Sequence, residues 1–242
     1  MGYDDWLSCN HSILTQAFVE RRNIMPTSSK ARILLIGDSI SVQYTPYLHS
    51  ALKSQVTWVG FSEEERLNAL TDLDVPQNLN CGDSSRSLGI ITDMLEKTNG
   101  QIDLILANCG LHDIKTNPQT GEKQIPLQDY QANLKQIVAV AKSHNVPIAW
   151  MRTTLVNAAI HNSKCSDFHR YENDLDAYNA AADAIMTQAG FQVIDLWQFT
   201  RQLGEDEQLF CDHVHYQDWV RQCQGAFLAG YVQAYLANAS KA

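Results

Sequence analysis

Four short stretches carry side chains able to move an acyl group and the proton that travels with it. In Gly37-Asp38-Ser39-Ile40-Ser41 a serine follows the apolar run Ile33-Leu34-Leu35-Ile36. A serine where a strand hands over to a helix exposes its hydroxyl and keeps its own N–H available. One residue then offers both a nucleophile and a donor to a developing oxyanion. Taken alone, the same serine reads as a helix N-cap. In Asn80-Cys81-Gly82-Asp83-Ser84-Ser85, Gly82 permits close backbone approach to a ligand and offers a second N–H, although the stretch also reads as an ordinary turn. Asn108-Cys109-Gly110-Leu111-His112-Asp113 sets polar side chains at the end of another apolar run. In Cys211-Asp212-His213-Val214-His215-Tyr216, a carboxylate precedes an imidazole by three positions. In a tight loop that spacing lets Asp212 hold the tautomer of His215, whose other nitrogen stays free to take a proton.

These stretches need a scaffold that gathers them. Near-continuous apolar runs at 33–36, 56–59, 103–107, 146–151 and 191–196 predict strands buried on both faces. Helical stripes lie between and after them. Leu127, Tyr130, Leu134, Ile137 and Ala141 recur at three and four, with Pro126 suited to a first turn. Leu175, Tyr178, Ala182, Ile185 and Met186 repeat similarly and stop near Gly190. A last stripe runs from Trp219 to Tyr235. Strands alternating with helices predict an α/β domain with a mostly parallel sheet, in which ligands bind beyond the carboxyl ends of the strands. Residues 1–31 are read as an N-terminal extension packing on a domain of residues 32–242, with helical character around Ile13 to Val19.

The 242-residue chain is 45% hydrophobic and 19% charged, which suits a globular domain. Its formal net charge of −9 disfavours nucleic acid and anionic membrane surfaces as partners. No apolar run is long enough to cross a membrane. Six scattered cysteines form no C-x-x-C pair, so free thiols in a reducing compartment are expected. The N-terminus shows no basic segment followed by an apolar one. A cytoplasmic location is therefore favoured over the secreted or periplasmic one that a removed leader would allow.

The ordered set is more specific than its parts. Gly37-Asp38-Ser39-Ile40, Asn80 to Ser84, Gly110-Leu111-His112-Asp113 and Asp212-His213-Val214-His215 resemble the four blocks of the SGNH, or GDSL-like, hydrolase superfamily. The resemblance covers roughly residues 32–236. It implies a three-layer α/β/α fold of flavodoxin-like type around a five-stranded, mostly parallel sheet. It also implies a serine esterase with Ser39, His215 and Asp212 as triad and oxyanion donors from Ser39, Gly82 and the third block. That block normally supplies an asparagine side chain, and here His112 stands in its place. A histidine N–H can make the same donation; otherwise His112 serves specificity, or the site has changed efficiency or reaction. Asp38, Asn108 and Arg152 are expected to bind substrate, although Arg152 reads equally as one half of a surface ion pair.

The expected substrate is a small-molecule or carbohydrate ester with a short acyl group, acetyl above all, and the reaction needs no metal or organic cofactor. A carbohydrate O-acyltransferase with the same triad and a non-catalytic binding domain are the alternatives. His161, Cys165 and His169 are spaced by four, a spacing compatible with a metal site on a helix. Polar neighbours favour reading this segment as a loop rimming the pocket. His213 is expected beside the triad but pointing elsewhere.

Overall fold

A computed structural model describes residues 30–239, apart from 74 and 78. All but the last two residues of the expected N-terminal extension lie outside this range. The apolar runs form five strands: β1 (Ala31–Ile36), β2 (Val56–Val59), β3 (Leu104–Ala107), β4 (Ile148–Met151) and β5 (Gln192–Ile194). They make one sheet in the order β2-β1-β3-β4-β5, with every neighbouring pair parallel. β3 and β4 are buried along their whole length, as strands covered on both faces must be.

The connections are helical: α1 (Ser39–Leu52), α2 (Glu63–Ala69), α3 (Ser84–Lys97), α4 (Leu127–Ser143), α5 (Ala158–Lys164), α6 (Glu172–Gln188), α7 (Leu196–Arg201), α8 (Asp206–Leu209) and α9 (Asp218–Ala239). α1 packs against α9, while α3, α4 and α6 pack in series. Right-handed crossovers put these groups on opposite faces of the sheet, which gives the three layers. Among the described residues, no helix is long and apolar enough to cross a membrane.

Two sequence-based boundaries shift for local reasons. The run expected as a strand over 191–196 stops at Ile194, because the Asp195 carboxylate accepts the Gln198 N–H at 2.9 Å and starts α7. The run from Val146 is a strand only from Ile148, after Pro147, which has no N–H to give to a ladder. The five described cysteines, Cys81, Cys109, Cys165, Cys211 and Cys223, are free thiols.

The strand order reverses between β1 and β3. β1 leads to β2 on one side, and the chain then returns across β1 to place β3 on the other. The carboxyl ends of β1 and β3 thus open onto the crevice where this architecture binds ligands.

Candidate active site

β1 ends in a turn too tight for a side chain at Gly37: a Cβ there would lie 1.9 Å from Ser41 Oγ. The turn delivers Ser39 as the first residue of α1, with Asp38 as the N-cap. The second stretch docks alongside. Gly37 and Asn80 form a parallel bridge, and the Cys81 N–H donates to the Gly37 carbonyl at 2.7 Å. Gly82 follows with φ +70°, a conformation that glycine adopts without strain. Its N–H makes a long contact, 3.3 Å, with Asn80 Oδ1. A bond near the distance limit is weak and readily exchanged for a better acceptor.

Beyond β3 the chain turns through Gly110 to His112, which is 3% exposed. Burial, together with the charges of Lys115 and Arg170, holds His112 well below the usual imidazole range, so its ring is neutral and carries one N–H. Its Nδ1 is buried and has no hydrogen-bond partner among the described residues. Asp113, next in the chain, accepts the Ser84 N–H on both carboxylate oxygens at 3.0 and 3.1 Å. That bond ties the 80–84 loop to the 110–114 turn. Burial pushes the Asp113 carboxyl up to about 7, against the hydrogen bonds from Ser84.

The fourth stretch is a loop closed on itself. Asp212 Oδ1 accepts the N–H groups of Val214 and His215, each at 2.7 Å, and the Cys211 N–H donates to the His215 carbonyl at 2.8 Å. The second oxygen, Oδ2, lies 2.8 Å from His215 Nδ1. His215 Nε2 lies 3.0 Å from Ser39 Oγ. Burial raises the Asp212 carboxyl, but the bonds from the His215 ring and from the two backbone N–H groups outweigh it and hold the acid below the usual carboxylate range. An ionised Asp212 takes the Nδ1 hydrogen, so Nε2 presents a lone pair to the serine hydroxyl. This unbroken chain of hydrogen bonds can draw a proton from Ser39 Oγ as it attacks a carbonyl.

Ser39, His112, His213 and His215 line one cleft of about 200 Å³. Lys115, Phe168 and Arg170 complete its far wall, and Leu73 contributes an apolar contact. Part of the 161–169 segment therefore rims the pocket, but it begins within α5 and becomes a loop only after Lys164. Among the described residues, no group of three or more His, Cys, Asp or Glu side chains is placed to hold a metal ion. A larger hollow, about 400 Å³, lies behind Asp212 and does not include Ser39 or His215.

Three residues expected at the substrate are engaged elsewhere. Asp38 is 2% exposed and accepts the Ile40 N–H at 3.0 Å, so its carboxylate caps α1. Asn108 donates to the Met151 carbonyl at 2.7 Å and to Thr153 Oγ1 at 3.2 Å, which stitches β3 to β4. Arg152 points away from the cleft and pairs with Asp183 and Asp195, each at 2.5 Å. The strand register explains the direction: the Arg152 N–H continues the ladder to Ile194, and the side chain falls between α6 and the start of α7.

The arginine at the cleft is Arg170. It is 4% exposed, and its Nε donates to the Leu111 carbonyl at 2.8 Å, beside His112. Its guanidinium stands 4.9 Å from the Phe168 ring centroid, with the Lys115 ammonium 4.4 Å from the same ring. Sequence reasoning missed Arg170. It belongs to no motif block, and its only signal was its place directly after the 161–169 segment expected to rim the pocket.

The sequence profile of the GDSL-like Lipase/Acylhydrolase family matches residues 35–219. No curated protein sequence matches the chain. Among solved structures, the chain is similar to the lipase/acylhydrolase from Enterococcus faecalis, with 13% identity, a TM-score of 0.63, and 85% of this chain and 96% of that one covered. It is also similar to an acetylxylan esterase from Geobacillus stearothermophilus, with 14% identity, a TM-score of 0.64, and 86% and 96% covered. A third similarity is to the acetyl xylan esterase AlAXEase, with 14% identity, a TM-score of 0.61, and 83% and 99% covered. At these identities the likeness establishes the fold.

Proposed function

The chain belongs to the GDSL-like lipase/acylhydrolase family, a family of carboxylic ester hydrolases, and from that premise we propose that it removes short acyl groups, acetyl above all, from carbohydrate or small-molecule esters through an acyl-serine intermediate. The catalytic domain is taken as residues 32–242, with residues 1–31 as an extension. One observation carries the reading: the linked contacts Asp212 Oδ2 to His215 Nδ1 at 2.8 Å and His215 Nε2 to Ser39 Oγ at 3.0 Å.

In this reading His215 takes the Ser39 proton while Asp212 stabilises the imidazolium that forms. Ser39 Oγ attacks the ester carbonyl, and the carbonyl π electrons move onto the oxygen. The N–H groups of Ser39 and Gly82 and the neutral His112 ring donate to that oxyanion. For Gly82 this means exchanging the long Asn80 contact for a charged acceptor, a gain in bond strength. The tetrahedral adduct collapses, the C–O bond to the alcohol breaks, and His215 returns the proton to the leaving oxygen. Water then enters by the same route, deprotonated by His215, and releases the acid and free Ser39.

The cleft supports a short acyl group. Its volume of about 200 Å³ lies below the ~300–1,000 Å³ of pockets that engulf drug-sized ligands. The acetyl-carbohydrate assignment draws on the two acetyl xylan esterases of the same fold. A chain-length series of aryl esters, run beside acetylated xylooligosaccharides with and without an unacetylated acceptor, tests it. Acetyl esters should turn over fastest, with acetate released to water. Acetyl appearing on the acceptor would make the enzyme a transferase, and no turnover across the panel would reject the catalytic reading.

A further inference from the structure

We infer that His161 is a positioning residue that aims the 211–216 loop at Ser39 through its hydrogen bond to His213. This rests on the reading of Ser39, His215 and Asp212 given above.

The loop's internal bonds fix its shape but not its direction. The bonds from Val214 N–H and His215 N–H to Asp212, and from Cys211 N–H to His215, begin and end within it. Direction requires ties to the body of the domain. At the C-terminal end Arg221 Nε on α9 donates to the Tyr216 carbonyl at 2.6 Å. Tyr216 also pairs with Phe210 in an antiparallel bridge, with the two rings stacked 5.0 Å apart, and the Gln217 N–H donates to the Leu209 carbonyl at 2.8 Å, so this end is well fixed. On the cleft side, besides the His215–Ser39 contact it serves, one tie is His213 Nδ1 to His161 Nδ1, 2.8 Å apart.

Two ring nitrogens at that distance bond only if one carries a hydrogen and the other a lone pair. Both rings therefore contribute as neutral imidazoles or as a neutral acceptor beside a donor. The environment of His161 keeps it uncharged: it is 1% exposed, and burial, with the Arg170 charge next in weight, pushes it down to about 3. His161 is itself well anchored. Asn157 caps α5 by accepting the Ile160 N–H at 2.9 Å, and its amide donates to Asp206 at 2.6 Å. The His161 ring also packs against Phe168, with centroids 5.4 Å apart. A rigid ring on a pinned helix thus holds His213, and two residues further on stands His215. His161 does not line the cleft, so it acts through His213 and touches no reacting atom.

Two variants separate the bond from simple packing. His161→Phe keeps a ring against Phe168 and removes the nitrogen. His161→Asn returns a polar amide near the place of Nδ1. With an aryl acetate, kcat should fall about tenfold in His161→Phe, the cost of one buried hydrogen bond. KM should stay within about twofold, because no substrate contact is lost. His161→Asn should recover most of the rate. In ¹⁵N-labelled wild type without substrate, scalar coupling across the N–H···N bond should link the two Nδ1 atoms, and His161→Phe should abolish it. Unchanged kcat in a folded His161→Phe variant, equal losses in both variants, or no coupling in an active wild type would each overturn the positioning role alone. A wild type without ester turnover would overturn the catalytic reading, and the positioning role with it.

Discussion

The cleft has two walls of different construction. One is built on strand ends: Ser39 follows β1 and His112 follows β3, with the 80–84 loop bridged to Gly37 behind them. Their places follow from the parallel ladder, since Ile36 lies opposite Ala107 in register. The other wall is built on loops, held by a single backbone bridge, in which Thr116 and His169 each give an N–H to the other's carbonyl at 2.8 Å, and otherwise by side-chain bonds. Asn162 brackets the Arg170 backbone, accepting its N–H at 2.9 Å and donating to its carbonyl at 3.2 Å. Arg170 in turn clasps Leu111. Continuous backbone ladders fix geometry whatever the side chains, whereas beyond its one bridge the loop wall depends on a few particular residues far apart in the chain.

The largest test of the strand wall is Ser39→Ala. If that wall carries the nucleophile, turnover of an aryl acetate should drop by about 10⁶-fold, toward background hydrolysis. A small loss would show that the reaction runs through another group. Next comes His112→Ala, which should lose ~10²–10³ in kcat if the neutral ring donates to the oxyanion. Near-wild-type turnover would move His112 out of that role.

The loop wall is probed by Arg170, with Arg152 as the control outside the cleft. Arg170→Met leaves the Leu111 carbonyl without its buried donor beside His112. It should lower kcat/KM by about tenfold and destabilise the fold by roughly 1–3 kcal/mol. Arg152→Met breaks two partly exposed ion pairs, with Asp183 and Asp195, away from the cleft. It should change kcat/KM by less than about twofold and stability by about 0–1 kcal/mol. Equal effects of the two on activity would erase the distinction between them.

A test read in stability rather than rate lies where the strand wall is tied to its own loop. Asp113 has a folded-state value of about 7 against an ordinary value near 3.8. The folded state therefore binds the proton more tightly than the unfolded chain does. The stabilisation this confers is full below about pH 4 and is lost as pH rises through about 7. Asp113→Asn keeps an oxygen for the Ser84 N–H and removes the titration. Its melting temperature should fall less than that of the wild type between those two pH values. A parallel decline in both proteins would show that Asp113 does not titrate there.

What could be read from the sequence follows the same division. Continuous apolar runs announced the parallel strands, and the polar residues beyond two of their ends, Ser39 and His112, line the cleft. Asp212 and His215 were legible because their bond is local, made across three positions of one loop. Arg152 misled because a strand end shows where the backbone stops, not which way its last side chain turns. That direction is set by Asp183 on α6 and by Asp195, the cap of α7. Arg170 and the His161–His213 bond join distant parts of the chain, and no periodicity or spacing encodes such meetings.

The most direct test of the central claim is the reaction of the native protein with a fluorophosphonate, mapped by mass spectrometry. One adduct per chain on Ser39, formed quickly in the wild type and very slowly in His215→Ala, is the predicted result. No adduct, an adduct on another residue, or the same rate in both proteins would contradict it.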